Sequence, residues 1–506
     1  MNIKEAKEYI KDSVRLYLKK DEFGEYRVPV VRQRPLFLLG APGIGKTAIM
    51  EQIAQELGIA LVSYAMTHHT RQSALGLPYI TKKEYDGEEY SVSEYTMSEI
   101  ISQVYETMEE SGIKEGILFL DEINCVSETL APSMLQFLQY KTFGRHRVPE
   151  GWVIVTAGNP PEYNKSVREF DVVTMDRLKL LEVEADYKTW KEYAISNGVH
   201  PAIISYLDLK KDQFYLMEMT LKGKGYVTAR GWEDLSKMLL LYEEEKITPK
   251  ESLISQYIRN EKVVREFSAY YELYNKYKRD YDIDAVLKGS APQRAYERAE
   301  KAAFDERLSL MGMLTDRVIN DIKEVMEKAA YLKETRPLIK HLEDVASDFD
   351  KNEKDIREAL NLLINSRRDI ISKKAKAGAL SDEEKRKHLR ITGFLEKINA
   401  GILNLENTDK DKDLELIKNK YEDEIKRLKG RQLSVDRELN NVFEFTEKAF
   451  GNENEMLIFV TELTVNSYSA AYIATFGNQY YQKYNKELML TERSDSIIKE
   501  IEELDL

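Results

Sequence analysis

The sequence predicts an α/β fold, a three-layer core on a parallel sheet, followed by an all-α remainder. Three observations predict it. Chain punctuation is uneven: 10 of the 12 prolines and 16 of the 24 glycines lie in residues 1–250. The first half therefore alternates short elements with turns, while the second can sustain long helices. Short, continuously apolar runs recur in the first half, as strands covered on both faces require. Finally, a glycine-rich loop joins the first such run to an amphipathic helix.

Taken in order, Leu36-Phe37-Leu38-Leu39 is the first strand, and Ile49, Ile53 and Leu57 mark a helix that stops at Gly58. Ile59 to Ala65, Ile117 to Leu120, Trp152 to Ala157 and Leu178 to Val183 supply four more strands. This βα alternation is the signature of the layered α/β class. From Asp186 the pattern becomes helical. Phe267, Tyr270, Tyr271, Tyr274, Tyr277 and Tyr281 recur at three- and four-residue spacing. Such a stripe could stack against bases, but helical core packing explains the spacing by itself and is the expected reading. Lys288-Gly289-Ser290-Ala291-Pro292 looks like a boundary, giving a core at 1–185, a helical lid at 186–290 and a helical C-terminal domain at 291–506. There, Leu414, Ile417, Tyr421, Ile425 and Leu428 form one amphipathic face before Gly430, which is expected to interrupt it. The run Asp409 to Asp413 is expected to be solvated. Met456 to Phe476 carries Glu462 as its single charge. Its length could span a bilayer, yet its threonines, serines and asparagine favour a central helix buried all round.

Apolar residues make up 42% of the 506, enough to bury a substantial core. Seventy-five basic against 88 acidic residues leave a net charge of −13, which argues against general attraction to nucleic acid phosphates. The single cysteine, Cys125, excludes an intramolecular disulfide and a cysteine-based zinc site. Met1 to Lys20 lacks the apolar run of a signal peptide. A soluble, cytoplasmic protein is the expectation. His68 and His69 are adjacent, cannot point the same way from a strand, and read as structural.

Gly40-Ala41-Pro42-Gly43-Ile44-Gly45-Lys46-Thr47 matches G-x-x-x-x-G-K-[ST]. Glycines let the backbone curl so that its N–H groups face phosphate oxygens, and the helix N-terminus adds partial positive charge beneath them. Lys46 would reach the β- and γ-phosphates of ATP, and the Thr47 hydroxyl would ligate Mg²⁺. The strand Ile117 to Leu120 then ends in Asp121-Glu122. Carboxyl ends of strands line the ligand crevice of an α/β sheet, which places these acids beside the phosphates. Asp121 suits Mg²⁺, and Glu122 can orient the attacking water or take its proton. The next strand ends at Gly158-Asn159-Pro160, so Asn159 would stand near Glu122 and could hydrogen-bond the water or the γ-phosphate.

These motifs resemble those of the AAA+ ATPases and, within them, the MoxR-type group. The resemblance covers about residues 30–245. It rests on the G-A-P-G-I-G-K-T loop, Leu118-Phe119-Leu120-Asp121-Glu122, Thr156-Ala157-Gly158-Asn159-Pro160, Asp176-Arg177 and Thr228-Ala229-Arg230-Gly231-Trp232. It implies a five-stranded parallel core and a helical lid, assembled as a homo-oligomeric ring, commonly a hexamer, with nucleotide between subunits. By the resemblance, Asn159 is the sensor 1 residue and Arg230 the sensor 2 residue, reaching the γ-phosphate from the lid of its own subunit. Arg177 corresponds to the arginine finger that serves the neighbour's site, although many relatives read D-R-F where this chain has Asp176-Arg177-Leu178, and Arg168 is close by. The group also carries an insertion in the second helix, for which 73–112 is the place here, and a hairpin before the sensor 1 strand, matched by 141–147. The basic cluster of that hairpin could face the pore or a partner, or be an ordinary exposed turn.

The implied activity is ATP hydrolysis that remodels or matures a protein partner in a chaperone-like way, and partners with a von Willebrand factor A domain are among those the resemblance implies. A nucleic-acid-handling AAA+ ATPase would need a basic channel, which the charge balance disfavours. An ATP-dependent assembly switch needs Lys46 but not Glu122, Asn159 and Arg230. A small-molecule kinase needs an acceptor pocket, of which the sequence shows no sign.

Overall fold

The apolar runs of the first half become five strands, seen in a computed structural model that describes residues 1–68, 74, 76–163, 166–220, 223–347, 356–403, 410–451 and 454–486. The chain divides into two compact units: residues 1–186 with 362–393, and residues 187–361 with 394–506.

In the first unit, helix α1 (Ile3–Tyr17) opens with a capping box, in which Asn2 and Glu5 exchange side-chain and main-chain hydrogen bonds. Strand β1 (Leu36–Gly40) leads into α2 (Lys46–Leu57), which Gly58 ends in the left-handed conformation. Next come β2 (Ala60–Ala65), the hairpin β3 (Pro78–Tyr85) and β4 (Glu88–Tyr95), α3 (Glu99–Ser111) and β5 (Gly116–Asp121). Asp86 and Gly87 turn the hairpin with positive φ, as an Asp-Gly turn requires. Helix α4 (Ala131–Tyr140), the small hairpin β6 (Thr142–Phe143) and β7 (His146–Arg147), β8 (Trp152–Gly158), α5 (Val172–Met175) and β9 (Lys179–Val183) follow. The five-stranded sheet is parallel throughout, in the order β2-β5-β8-β1-β9. Its central residues, from Ile117 to Leu120 and Trp152 to Val155, are fully buried, which is why these strands read as continuous apolar runs. The registers Ala65↔Asp121, Leu120↔Thr156 and Leu39↔Gly158 align the carboxyl ends of β2, β5, β8 and β1 along one edge. The chain leaves β1 for β2 in one direction and β8 for β9 in the other, so the sheet's switch point falls at β1.

The outer edge of β2 is covered by a turn from far along the sequence. The Leu61 N–H donates to the carbonyl of Ala377 at 2.9 Å, and Ala377 and Ala379 join the core around Ala60, Val62 and Val104. This turn joins the helices Ile356–Lys376 and Asp382–Leu403.

The short hairpin corrects one expectation about its basic cluster. Lys141, at its base, is 2% exposed, with φ 55° and its ammonium on Gln33 Oε1 at 3.0 Å. Burial beside a neutral amide pushes its pKa down to about 8. Between about pH 8 and 10.5 the unfolded chain holds a proton that the folded chain has released. Wild-type stability should therefore rise across that window relative to Lys141→Met, as urea unfolding at several pH values would show. Equal pH slopes for the two proteins would contradict this. Arg145 pairs with Glu94, and His146 reaches the carbonyl of Tyr95, so these two lean on β4, while Arg147 is exposed.

The second unit is mainly helical, with a two-stranded antiparallel hairpin at Leu216–Thr220 and Gly223–Val227. Its tyrosine stripe is core: on the helix Glu261–Tyr281, Phe267, Tyr271, Tyr274, Tyr277 and Tyr281 are buried, and Phe267 meets the Trp232 and Tyr206 rings. The helix Lys410–Phe450 runs straight through Gly430. A single glycine costs only about 1 kcal/mol in a helix interior, less than the packing around Ile417 and Tyr421 returns. Asp413 is not solvated but buried, paired with Arg357 at 3.4 Å, whereas Asp409 lies outside the described residues. Met456–Phe476 is not one helix buried all round. Asn466 breaks it into Asn454–Val465 and Ser467–Phe476 by capping the second, and Leu457, Val465 and Phe476 are exposed. Glu462 there pairs with Lys191 at 2.5 Å. Among the described residues, no helix is long and apolar enough to cross a membrane.

Candidate nucleotide-binding site

The loop after β1 is shaped by its glycines. A Cβ on Gly40 would stand 2.5 Å from the Val183 carbonyl, so only glycine lets β1 end beside β9. Gly43 and Gly45 take φ of 76° and 98°, turning the backbone into the first turn of α2. Ala41 and Ile44 are buried and anchor the loop from below. Lys46, 8% exposed, donates to the carbonyls of Gly40 and Ala41 at 2.7 and 2.9 Å and to Asn159 Oδ1 at 2.9 Å. The loop, the lysine and the end of β8 thus converge on one point.

Thr47 Oγ1 donates to Asp121 Oδ2 at 3.0 Å, joining α2 to the end of β5. A hydroxyl and a carboxylate so placed fit Mg²⁺, a hard cation that takes one or two protein oxygens and completes its shell with phosphate and water. Among the described residues, no three His, Cys, Asp or Glu side chains form a metal site by themselves. The Glu122 N–H donates to Asp121 Oδ1 at 2.9 Å. Glu122 itself sits at φ 56°, a left-handed conformation costly for a residue with a side chain and typical of functional turns. Thr67 Oγ1 donates to its carboxylate at 2.7 Å.

Sequence reasoning missed Thr67. It follows β2, and only the pairing Ala65↔Asp121 brings it level with Glu122. The available signal was a hydroxyl just past the carboxyl end of the strand beside β5. Cys125 stands near the same acids, and burial, reinforced by Glu122 and Asp121, pushes its thiol up. That disfavours a thiolate nucleophile.

The side chains of Arg177 and Arg168 bond other partners than this cluster. Arg177 and Arg168 are exposed in the first unit, bonded to Gln139 at 2.6 Å and Glu128 at 2.5 Å. Arg230 belongs to the second unit, exposed in the first turn of the helix Ala229–Glu244, which Thr228 caps. The side chain of His68 and all of His69 lie outside the described residues.

A five-stranded parallel sheet with a phosphate loop at its switch point and paired acids on a nearby strand defines a nucleoside-triphosphate-binding fold. Residues 35–178 match the family described as the AAA domain, dynein-related subfamily. A search of the curated proteins finds no match to the chain. The domain match supports an AAA+ ATPase, a class that binds ATP, typically with Mg²⁺, and commonly forms rings.

Proposed function

We propose that the chain is a ring-forming, ATP-hydrolysing AAA+ protein of the MoxR type that remodels a protein partner. The observation that carries the ATPase part is the convergence of Lys46, Thr47, Asp121, Glu122 and Asn159 from three adjacent strand ends. In this reading the loop amides and Lys46 cradle the phosphates. Thr47 and Asp121 would hold Mg²⁺, which would supply positive charge beside the phosphate oxygens. Glu122 takes the proton of the attacking water, and Asn159 orients the γ-phosphate. Residues 1–185 act as the engine and 186–290 as a lid bringing Arg230, while 291–506 dock the partner.

The shared site is supported by Arg177, whose guanidinium is exposed and bonded to Gln139. A guanidinium can meet two phosphoryl oxygens as their charge grows. The test is ATP turnover per subunit against protein concentration. Specific activity should rise as subunits assemble, and Arg177→Ala should lower the plateau roughly 10³-fold while leaving ATP binding intact. Normal hydrolysis by an assembled Arg177→Ala ring would shift the role to Arg168 or remove it. A partner is then sought by capture on Glu122→Gln rings held in ATP, with DNA and a von Willebrand factor A domain as separate probes. Tight, salt-sensitive DNA binding in place of a protein partner would overturn the remodelling reading.

A further inference from the structure

Asn124 lies in the single turn Ile123–Cys125 directly after Glu122 and is 4% exposed. Its Nδ2 donates to the main-chain carbonyl of Asn159 at 2.8 Å, and its own carbonyl accepts the N–H of Arg168 at 2.9 Å. Its side chain fills the space beside Gly158. A Cβ at that glycine would stand 2.6 Å from Asn124 Oδ1 and 2.7 Å from its Cγ.

The placement matters because Asn159 has left the sheet. The last pair of β8 with β1 is Leu39↔Gly158, and Pro160 follows without an N–H to donate. Beyond that pair, the bond from Asn124 holds the Asn159 carbonyl. The side chain of Asn159, with Oδ1 2.9 Å from Lys46 Nζ, is therefore aimed by a backbone that Asn124 fixes. Leaving a buried amide unpaired is costly, so the pair is held firmly.

We propose that Asn124 is a positioning residue of the ATPase site: it locks the turn carrying Glu122 to the strand end carrying Asn159, so that both face one phosphate. The proposal rests on the ATPase reading above. Asn124 touches no substrate and acts through Asn159 and Glu122. Glycine at 158 is part of the same device, since it leaves room for the Asn124 amide.

The experiment compares the full-length wild type with Asn124→Asp, Asn124→Ala, Gly158→Ala and the double Asn124→Ala/Gly158→Ala, measuring kcat, KM for ATP and thermal unfolding. Asn124→Asp keeps the size but loses the donor. It should lower kcat about 10- to 100-fold, the scale of a misplacement near 1 Å, with KM little changed and Tm lowered but still well above the assay temperature. Gly158→Ala should reproduce that loss by displacing the amide. The double variant should be no worse than Asn124→Ala, because the new methyl then has room. Wild-type kcat in Asn124→Asp, fully additive losses in the double variant, or a kcat loss no larger than the fraction unfolded at the assay temperature would each overturn the proposal. A wild type without Glu122-dependent turnover would instead overturn the ATPase reading, and this inference with it.

Discussion

Glu122→Gln should leave ATP bound while lowering turnover at least about 10²-fold, the usual contribution of a positioned general base. Gln is isosteric with Glu and can still accept the Thr67 hydroxyl, which lies 2.7 Å from the carboxylate. The left-handed backbone at 122 belongs to the turn after β5 and should survive the change. Lys46 bonds Gly40, Ala41 and Asn159, and Thr47 bonds Asp121. These bonds should keep the phosphate cradle in place in the variant. Removing a negative charge near the phosphates should, if anything, tighten binding. Fluorescent-nucleotide titration and phosphate release, measured on one preparation, separate the two effects. A variant that still hydrolyses within a few-fold of wild type would remove Glu122 from the base role. A variant that no longer binds ATP would mean that the acid supports the loop, contrary to the bonding pattern.

What was legible in the sequence follows from how far apart the cooperating residues lie. The five strands were readable because a sheet covered on both faces demands continuous apolarity, a local signal carried by runs such as Ile117 to Leu120. The phosphate loop was readable because strand, glycines and helix are contiguous. Thr67 and Asn124 were not. Each is an ordinary polar residue in a turn, and strand pairing or a single bond to Asn159 gives it its place. The buried Lys141 escaped for a similar reason, since its neutral partner Gln33 is remote in sequence. Asn466 was overlooked as a helix breaker within an apolar stretch, although an asparagine that caps the following N–H groups is a known stop-and-start signal. Gly430 was over-read, because packing outweighs one glycine.

The longest-range feature yields the second large effect. In the full chain, Ala377→Glu should cost about 4 kcal/mol or more, the range reached when an unpaired charge is forced into a core, and should lower Tm by roughly 10 °C. Ala377 is fully buried, and its carbonyl takes the Leu61 N–H from the outer edge of β2. An uncovered edge would present unpaired N–H and C=O groups to other chains, so aggregation should accompany the loss. Next to it, Gly378 holds φ 64°, and a Cβ there would stand 3.1 Å from the Leu61 carbonyl. Gly378→Ala should therefore weaken the same contact by a smaller step, about 1–2 kcal/mol. Lys376, 3.5 Å from Glu110, offers the contrast, since both side chains are about half exposed. Lys376→Ala should change Tm little, as surface pairs usually do. If Ala377→Glu melted like wild type, the turn would not be part of the sheet's cover. If all three variants fell equally, the effect would come from the helices flanking the turn rather than from the β2 edge. The expected ranking, with Ala377 far ahead of Gly378 and Gly378 ahead of Lys376, follows from burial and backbone conformation, and only a turn seated on β2 produces it.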